Sequence, residues 1–301
     1  MKYNKIIFYA AVLTCLLSSC TKPQLISDLP EDINKPEGAL SGATAAKRGV
    51  CQSTSTPDFA ERLVALKANW YYTWGLEPSP YVEGVEFCPM FWGASSVTKE
   101  NCDKVNKLYE EGKIFHVLGF NEPDLSEESN MSVSDALDKW EFLCNNLDSR
   151  IKLVSPAPSY PTRQWLVDFM AGVKERGLRC DYVAVHMYAG IGTNNYQSVI
   201  RDVYNTFGKK VWITEFAPRD DNAKKNGYNS YSESRVLEQM QVLLPAYEDM
   251  GEVFRYSWFG CASSSMIGLI SSRFFTDEGT LNSLGTWYSN LSPNTEIKVK
   301  Q

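Results

Sequence analysis

Histidine is nearly absent from this chain, with only His116 and His186 among 301 residues. No two cysteines stand at C-x-x-C spacing, so nothing gathers the nitrogen and sulfur ligands of a dedicated metal site. No metal or other cofactor is expected. No Gly-x-Ser-x-Gly occurs either, which removes the strained serine turn of the α/β-hydrolases. Basic clusters are lacking beyond the first few residues. With a formal charge of −6 and a pI near 5.2, the chain offers no basic face to a phosphate backbone, and nucleic acid is excluded as a partner. The longest N-terminal apolar stretch, Ile6 to Leu17, falls short of a bilayer's thickness.

Apolar and aromatic residues are plentiful, at 44% and 13%. That is enough for a large core, and α/β barrels fill this length as one domain. The N-terminus reads as an export signal over residues 1–19, with Lys2 and Lys5 before the apolar stretch. It ends in Leu17-Ser18-Ser19-Cys20, small residues before a cysteine, as in a bacterial lipobox. Lipidation at Cys20 is the expectation, with anchoring to a bacterial membrane at its periplasmic face or the cell surface. An ordinary cleaved signal with an incidental cysteine is the plain alternative. Residues 20–46 carry Pro23, Pro30, Pro36, Gly38 and Gly42 without a sustained period, which is the composition of a tether. Six further cysteines could pair in an exported protein or stay as buried thiols, since Cys51 and Cys88 lie in apolar runs and Cys144 on a helix's apolar face.

From Lys47 onward strand-like and helix-like segments alternate. Arg48 to Cys51, Trp70 to Trp74, Val85 to Met90, Phe115 to Phe120, Ile151 to Val154, Tyr182 to His186, Val211 to Thr214 and Val253 to Phe259 read as eight strands. Ser55/Thr56 are expected to cap the first helix. Ser132 with Asp135 forms a capping box before an apolar face of Ala136, Leu137, Trp140 and Leu143. Pro245 predicts a kink in the helix before the last strand. The fold expected is α/β, a single (β/α)8 TIM barrel over 47–292, with 293–301 as a tail.

Two carboxylates follow short apolar runs at strand ends: Glu122 in Gly119-Phe120-Asn121-Glu122-Pro123 and Glu215 in Trp212-Ile213-Thr214-Glu215-Phe216. Either string alone is also a plain strand-end turn or a surface glutamate. At the fourth and seventh strand ends of one barrel both rim the same mouth, where glycosidic cleavage needs two carboxylates. His186 and Tyr188 end the neighbouring sixth strand, and a phenol donating to Glu215 would keep it ionised and oriented. Trp74, Trp92 and Trp258 fall at or just past strand ends. Large aromatics are usually core, but here they are candidate platforms for sugar rings, with Trp258 assigned to the sugar undergoing cleavage. Tyr160 is a further binding candidate.

The segments Trp70-Tyr71-Tyr72-Thr73-Trp74-Gly75, Pro89-Met90-Phe91-Trp92-Gly93, Leu118 to Asp124, Ser155-Pro156-Ala157, His186-Met187-Tyr188, Ile213 to Phe216, Arg255 to Phe259 and Leu281 to Gly285 together resemble family 128 glycoside hydrolases. These are β-1,3-glucanases of a large retaining (β/α)8 clan. The resemblance implies Glu122 as acid/base, Glu215 as nucleophile and Asn121 as the partner of the sugar 2-hydroxyl. Met187 and Asn282-Ser283 depart from the family's usual His-Trp-Tyr and Leu-Thr, which bears on chain-length preference. The function expected is a monomeric retaining endo- or exo-β-1,3-glucanase acting on a β-glucan polysaccharide or oligosaccharide. The alternatives are a clan member acting on another β-glycan and a surface glycan-binding protein that kept the barrel.

Overall fold

The structure, a computed structural model, describes residues 47–291 apart from Ser79. The signal, Cys20, the tether and the tail lie outside the described residues. Strand β1 (Arg48–Cys51) leads to α1 (Phe59–Ala65), then β2 (Trp70–Tyr72), β3 (Glu86–Phe87), α2 (Lys99–Glu110), β4 (His116–Leu118) and α3 (Val133–Asn146). The second half runs β5 (Lys152–Val154), α4 (Gln164–Glu175), β6 (Val183–Ala189), α5 (Thr193–Phe207), β7 (Val211–Pro218), α6 (Ala223–Asn226), α7 (Glu233–Asp249), β8 (Val253–Trp258) and α8 (Ser283–Asn290).

All strand pairings are parallel, in the order β3-β2-β1-β8-β7-β6, with β4 beside β5. Single parallel bridges, Met90 to Leu118 and Val154 to Tyr182, link the two sheets at both junctions and complete the circle of eight. Helices start where short polar side chains accept otherwise unpaired backbone N–H groups: Thr98, Ser132, Ser232 and Asn282 each accept from the residue three positions on. The first helix differs from expectation. Asp58, in the left-handed region at φ 53°, sits at its N-cap in place of Ser55 or Thr56. Pro245 lies inside an unbroken α7.

The barrel interior beneath the mouth holds a buried ion cluster. Glu86 on β3 accepts from Arg255 Nη2 at 2.6 Å and meets His116 Nδ1 at 2.7 Å. The Arg255 guanidinium lies 4.8 Å from the Trp212 ring centroid, which suits a weakly hydrated cation in an aromatic shell. Burial works to raise the Glu86 carboxyl, but Arg255 and His116 overcome it and hold the group down at about 2. The six cysteines 51, 88, 102, 144, 180 and 261 are free thiols.

Candidate active site

Glu122 stands four residues beyond β4, and its position is fixed by crowding and by backbone pairing. At Gly119 any Cβ would come within 2.6 Å of the Pro156 nitrogen, so only glycine lets β4 approach the chain after β5. The Asn121 N–H then donates to the Trp92 carbonyl at 2.9 Å and the Glu122 N–H to that of Ala157 at 2.8 Å. Asp124 accepts from the Ser159 backbone and hydroxyl, pinning the β4 loop to the β5 loop. Glu122 itself takes φ 38°, and Trp74 takes φ 59°. Left-handed backbone at a non-glycine residue costs about 1–3 kcal/mol, so two side chains of this site are held in strained positions by their surroundings.

Glu215 does not end its strand, as its sequence suggested. It lies within β7, which runs on to Pro218, opposite His186 and at register shifts against both neighbours. Such irregularities re-aim a side chain, and here one turns a carboxylate into the mouth. Three donors meet it. Tyr72 Oη and Trp74 Nε1 donate to Oε1 at 2.9 and 2.8 Å, and Tyr188 Oη donates to Oε2 at 2.5 Å. Burial, then the Glu215 charge, push both phenols well above their usual range, so they remain donors at any working pH.

His186 is fully buried between the two carboxylates. Its Nδ1 lies 2.9 Å from Glu122 Oε1, and its Nε2 lies 3.5 Å from Glu215 Oε1 without forming a hydrogen bond. With Glu122 Oε1 as the acceptor of this contact, Nδ1 carries the hydrogen. A bare Nε2 would then face the negative Glu215. Burial disfavours the imidazolium, but the charges of Glu215 and Glu122 outweigh it and raise the His186 pKa.

One oxygen from each carboxylate and one imidazole nitrogen lie within 4.8 Å of one another. Three such atoms could approach a cation. Glu215, however, already receives three hydrogen-bond donors, an environment that suits an oriented carboxylate better than a metal ligand.

Asn121, buried at 5% exposure, donates through Nδ2 to Glu128 Oε2 at 3.1 Å. Trp92 is partly buried and props Asn121 through its carbonyl. Tyr160 and Tyr188 line one cavity of about 510 Å³ together with Leu125, Arg163 and Arg219. One aromatic assignment needs correction. Trp258 is 0% exposed, donates through Nε1 to the Ser272 carbonyl at 2.9 Å and packs edge-on to Phe216, so it is core and offers no face to a sugar. Trp74, partly buried, also donates to Glu215 through Nε1. Phe259 meets Trp74 and Tyr188 edge-on at 6.3 and 5.5 Å, walling the mouth where Trp258 was expected.

The sequence reading missed Tyr72 and Glu128. Tyr72 had a signal: Trp70, Tyr72 and Trp74 alternate, which puts all three on one face of β2 and its extension. Glu128 had none, because its place depends on how the loop after Glu122 folds back.

The glycosyl hydrolase catalytic core family model matches residues 49–288. A family 128 subgroup I endo-β-1,3-glucanase from Amycolatopsis mediterranei, solved with laminaritriose, is 31% identical, with a TM-score of 0.69 over 81% of this chain and 98% of its own. A subgroup II endo-β-1,3-glucanase from Sorangium cellulosum is 27% identical, with a TM-score of 0.66 over 81% and 98%. The alkali-sensitive linkage protein 1 of Schizosaccharomyces pombe is 29% identical over 252 residues, which are 82% of this chain and 45% of that protein. The chain thus spans about half the length of that curated relative.

Proposed function

Because the chain belongs to the glycosyl hydrolase catalytic core family and, within it, to glycoside hydrolase family 128, we propose that it hydrolyses β-1,3-glucan with retention of configuration. Glu122 protonates the departing glycosidic oxygen while Glu215 attacks the anomeric carbon. Glu122 then deprotonates the water that releases the glycosyl ester. The observation that carries this reading is the approach of the two carboxylates, with oxygens within 4.8 Å. A retaining pair stands about 5–5.5 Å apart, whereas an inverting pair needs about 6.5–9.5 Å to admit a water.

The environments of the two glutamates support the division of roles. Tyr72, Trp74 and Tyr188 donate to both oxygens of Glu215, which orients and immobilises the nucleophile. Glu122 engages His186 through Oε1 and keeps Oε2 for the proton it transfers. Asn121 holds the 2-hydroxyl of the sugar undergoing cleavage, Trp92 serves a neighbouring subsite, and Tyr160 lines the cavity that continues past Tyr188. Both solved relatives described above are endo enzymes, which supports internal cleavage of linear chains. The carboxylate pair and its donors come from one chain, so the reaction needs no second copy.

Incubation with linear β-1,3-glucan followed by product sizing tests this directly, with oligosaccharides of mixed length as the expected outcome. Tight binding without products would favour the glycan-binding alternative. Products from a different β-glycan only would move the substrate within the clan.

We also propose, from Leu17-Ser18-Ser19-Cys20, that export ends in lipidation of Cys20. Wild-type protein should partition with membranes in a bacterial host, and Cys20→Ala should release it or leave it uncleaved. Soluble wild-type protein after signal cleavage would contradict the anchor.

A further inference from the structure

Besides the proposed catalytic pair, a third carboxylate reaches this site. Glu128 lies on the loop after β4, which folds back on itself: the Ser129 N–H donates to the Asn121 carbonyl at 3.3 Å and the Met131 N–H to that of Pro123 at 2.9 Å. Asn130 supplies the left-handed turn at φ 44°. The fold-back brings Glu128 Oε2 to 3.1 Å from Asn121 Nδ2.

We propose that Glu128 is a positioning residue that fixes which way the Asn121 amide faces, and through it sets recognition of the sugar 2-hydroxyl. The inference rests on the β-1,3-glucanase reading above. A carboxylate accepts and cannot donate, so the group facing Glu128 is the NH2 end of the amide. The carbonyl Oδ1 is then sealed from solvent with no donor. With Oδ1 unpaired, the facing of the amide is held, among the described residues, only from its NH2 end. Glu128 supplies that hold. It takes one of the two amide hydrogens and leaves the other for a sugar oxygen. Burial, then the negative charge of Glu122, raise the Glu128 carboxyl, which places it within electrostatic reach of the pair. Being half-exposed and on a loop, it can be replaced without disturbing the core.

The test compares an aryl β-laminaribioside with its analogue lacking the 2-hydroxyl on the glucosyl unit at the point of cleavage. Glu128→Ala should lower kcat/KM on the parent by about tenfold, the scale of one hydrogen bond involving a charged group, and leave the deoxy analogue nearly unchanged. Glu128→Gln keeps an acceptor oxygen and should recover most of the loss on the parent. Equal losses on both substrates, or no loss on either, would overturn the assignment. Failure of the wild type to cleave the parent while it cleaves another β-glycoside would instead overturn the β-1,3-glucanase reading, and this proposal with it.

Discussion

His186 Nδ1 lies 2.9 Å from Glu122 Oε1, and among the described residues this is the only side-chain hydrogen bond that Glu122 makes. Glu215, by contrast, accepts three. The asymmetry separates a carboxyl that leans on one imidazole from one fixed in place by three donors. Replacing His186 therefore acts on acid/base chemistry first. In His186→Ala, kcat on glucan should fall by about 100-fold, the lower end of what a positioned acid/base contributes. An aryl glycoside whose leaving group needs no protonation should be spared in its first step. Equal losses on both substrates would show that His186 does not act through Glu122.

The same residue sets an alkaline limit. Its folded pKa is raised above 6.5, so the stability it contributes is fully present below that value and is lost as pH rises through the folded one. Above that point a bare Nε2 faces Glu215. Melting temperatures of wild type and His186→Ala should converge as pH rises across this window. A constant gap from pH 6 to 10 would contradict the linkage.

Tyr72 and Tyr188 hold opposite oxygens of Glu215. Removing a hydrogen bond to a charged group costs about 1.5–3 kcal/mol, so Tyr72→Phe and Tyr188→Phe should each lower kcat/KM by roughly 10- to 100-fold. Because they share one carboxylate, the double variant should depart from additivity. Wild-type rates in Tyr72→Phe would remove that residue from the site.

Below the mouth, Glu86→Gln breaks a fully buried ion pair by removing the carboxylate that faces Arg255. The expected loss is about 3–5 kcal/mol, measurable by denaturant unfolding. Glu86 is held at about 2 against a reference of 4.5, so its contribution is present above the higher value and is lost as pH falls through the lower. Acid unfolding between these limits should be steeper in wild type than in the variant. Superimposable acid transitions would count against the cluster's role.

Trp258 separates core from site. Trp258→Ala should cost about 3–5 kcal/mol of stability, as large buried aromatics do. The milder Trp258→Phe should leave KM for glucan oligosaccharides unchanged, because the indole is sealed under the Ser272 carbonyl. A large KM rise in Trp258→Phe would restore it as a sugar platform.

The barrel was legible because its strands are short, apolar and spaced by helices whose caps are written locally, as at Ser132 and Asp135. Glu122, Glu215, His186 and Tyr188 were legible because strand ends of a parallel barrel converge on one mouth. Trp258 misled because its place at the end of a strand is compatible with either the mouth or the core. Only side-chain direction, set by the final turn of β8, decides between them. The bulges that aim Glu215, and the loop that brings Glu128 to Asn121, depend on pairings between distant segments and leave no periodic trace in the sequence.

The stereochemistry of the first product tests the central claim most directly. Proton NMR of a glucan oligosaccharide digest, recorded before mutarotation, should show the β-anomer forming first, as double displacement through Glu215 requires. An initial α-anomer would contradict the pairing of Glu122 and Glu215 as acid/base and nucleophile.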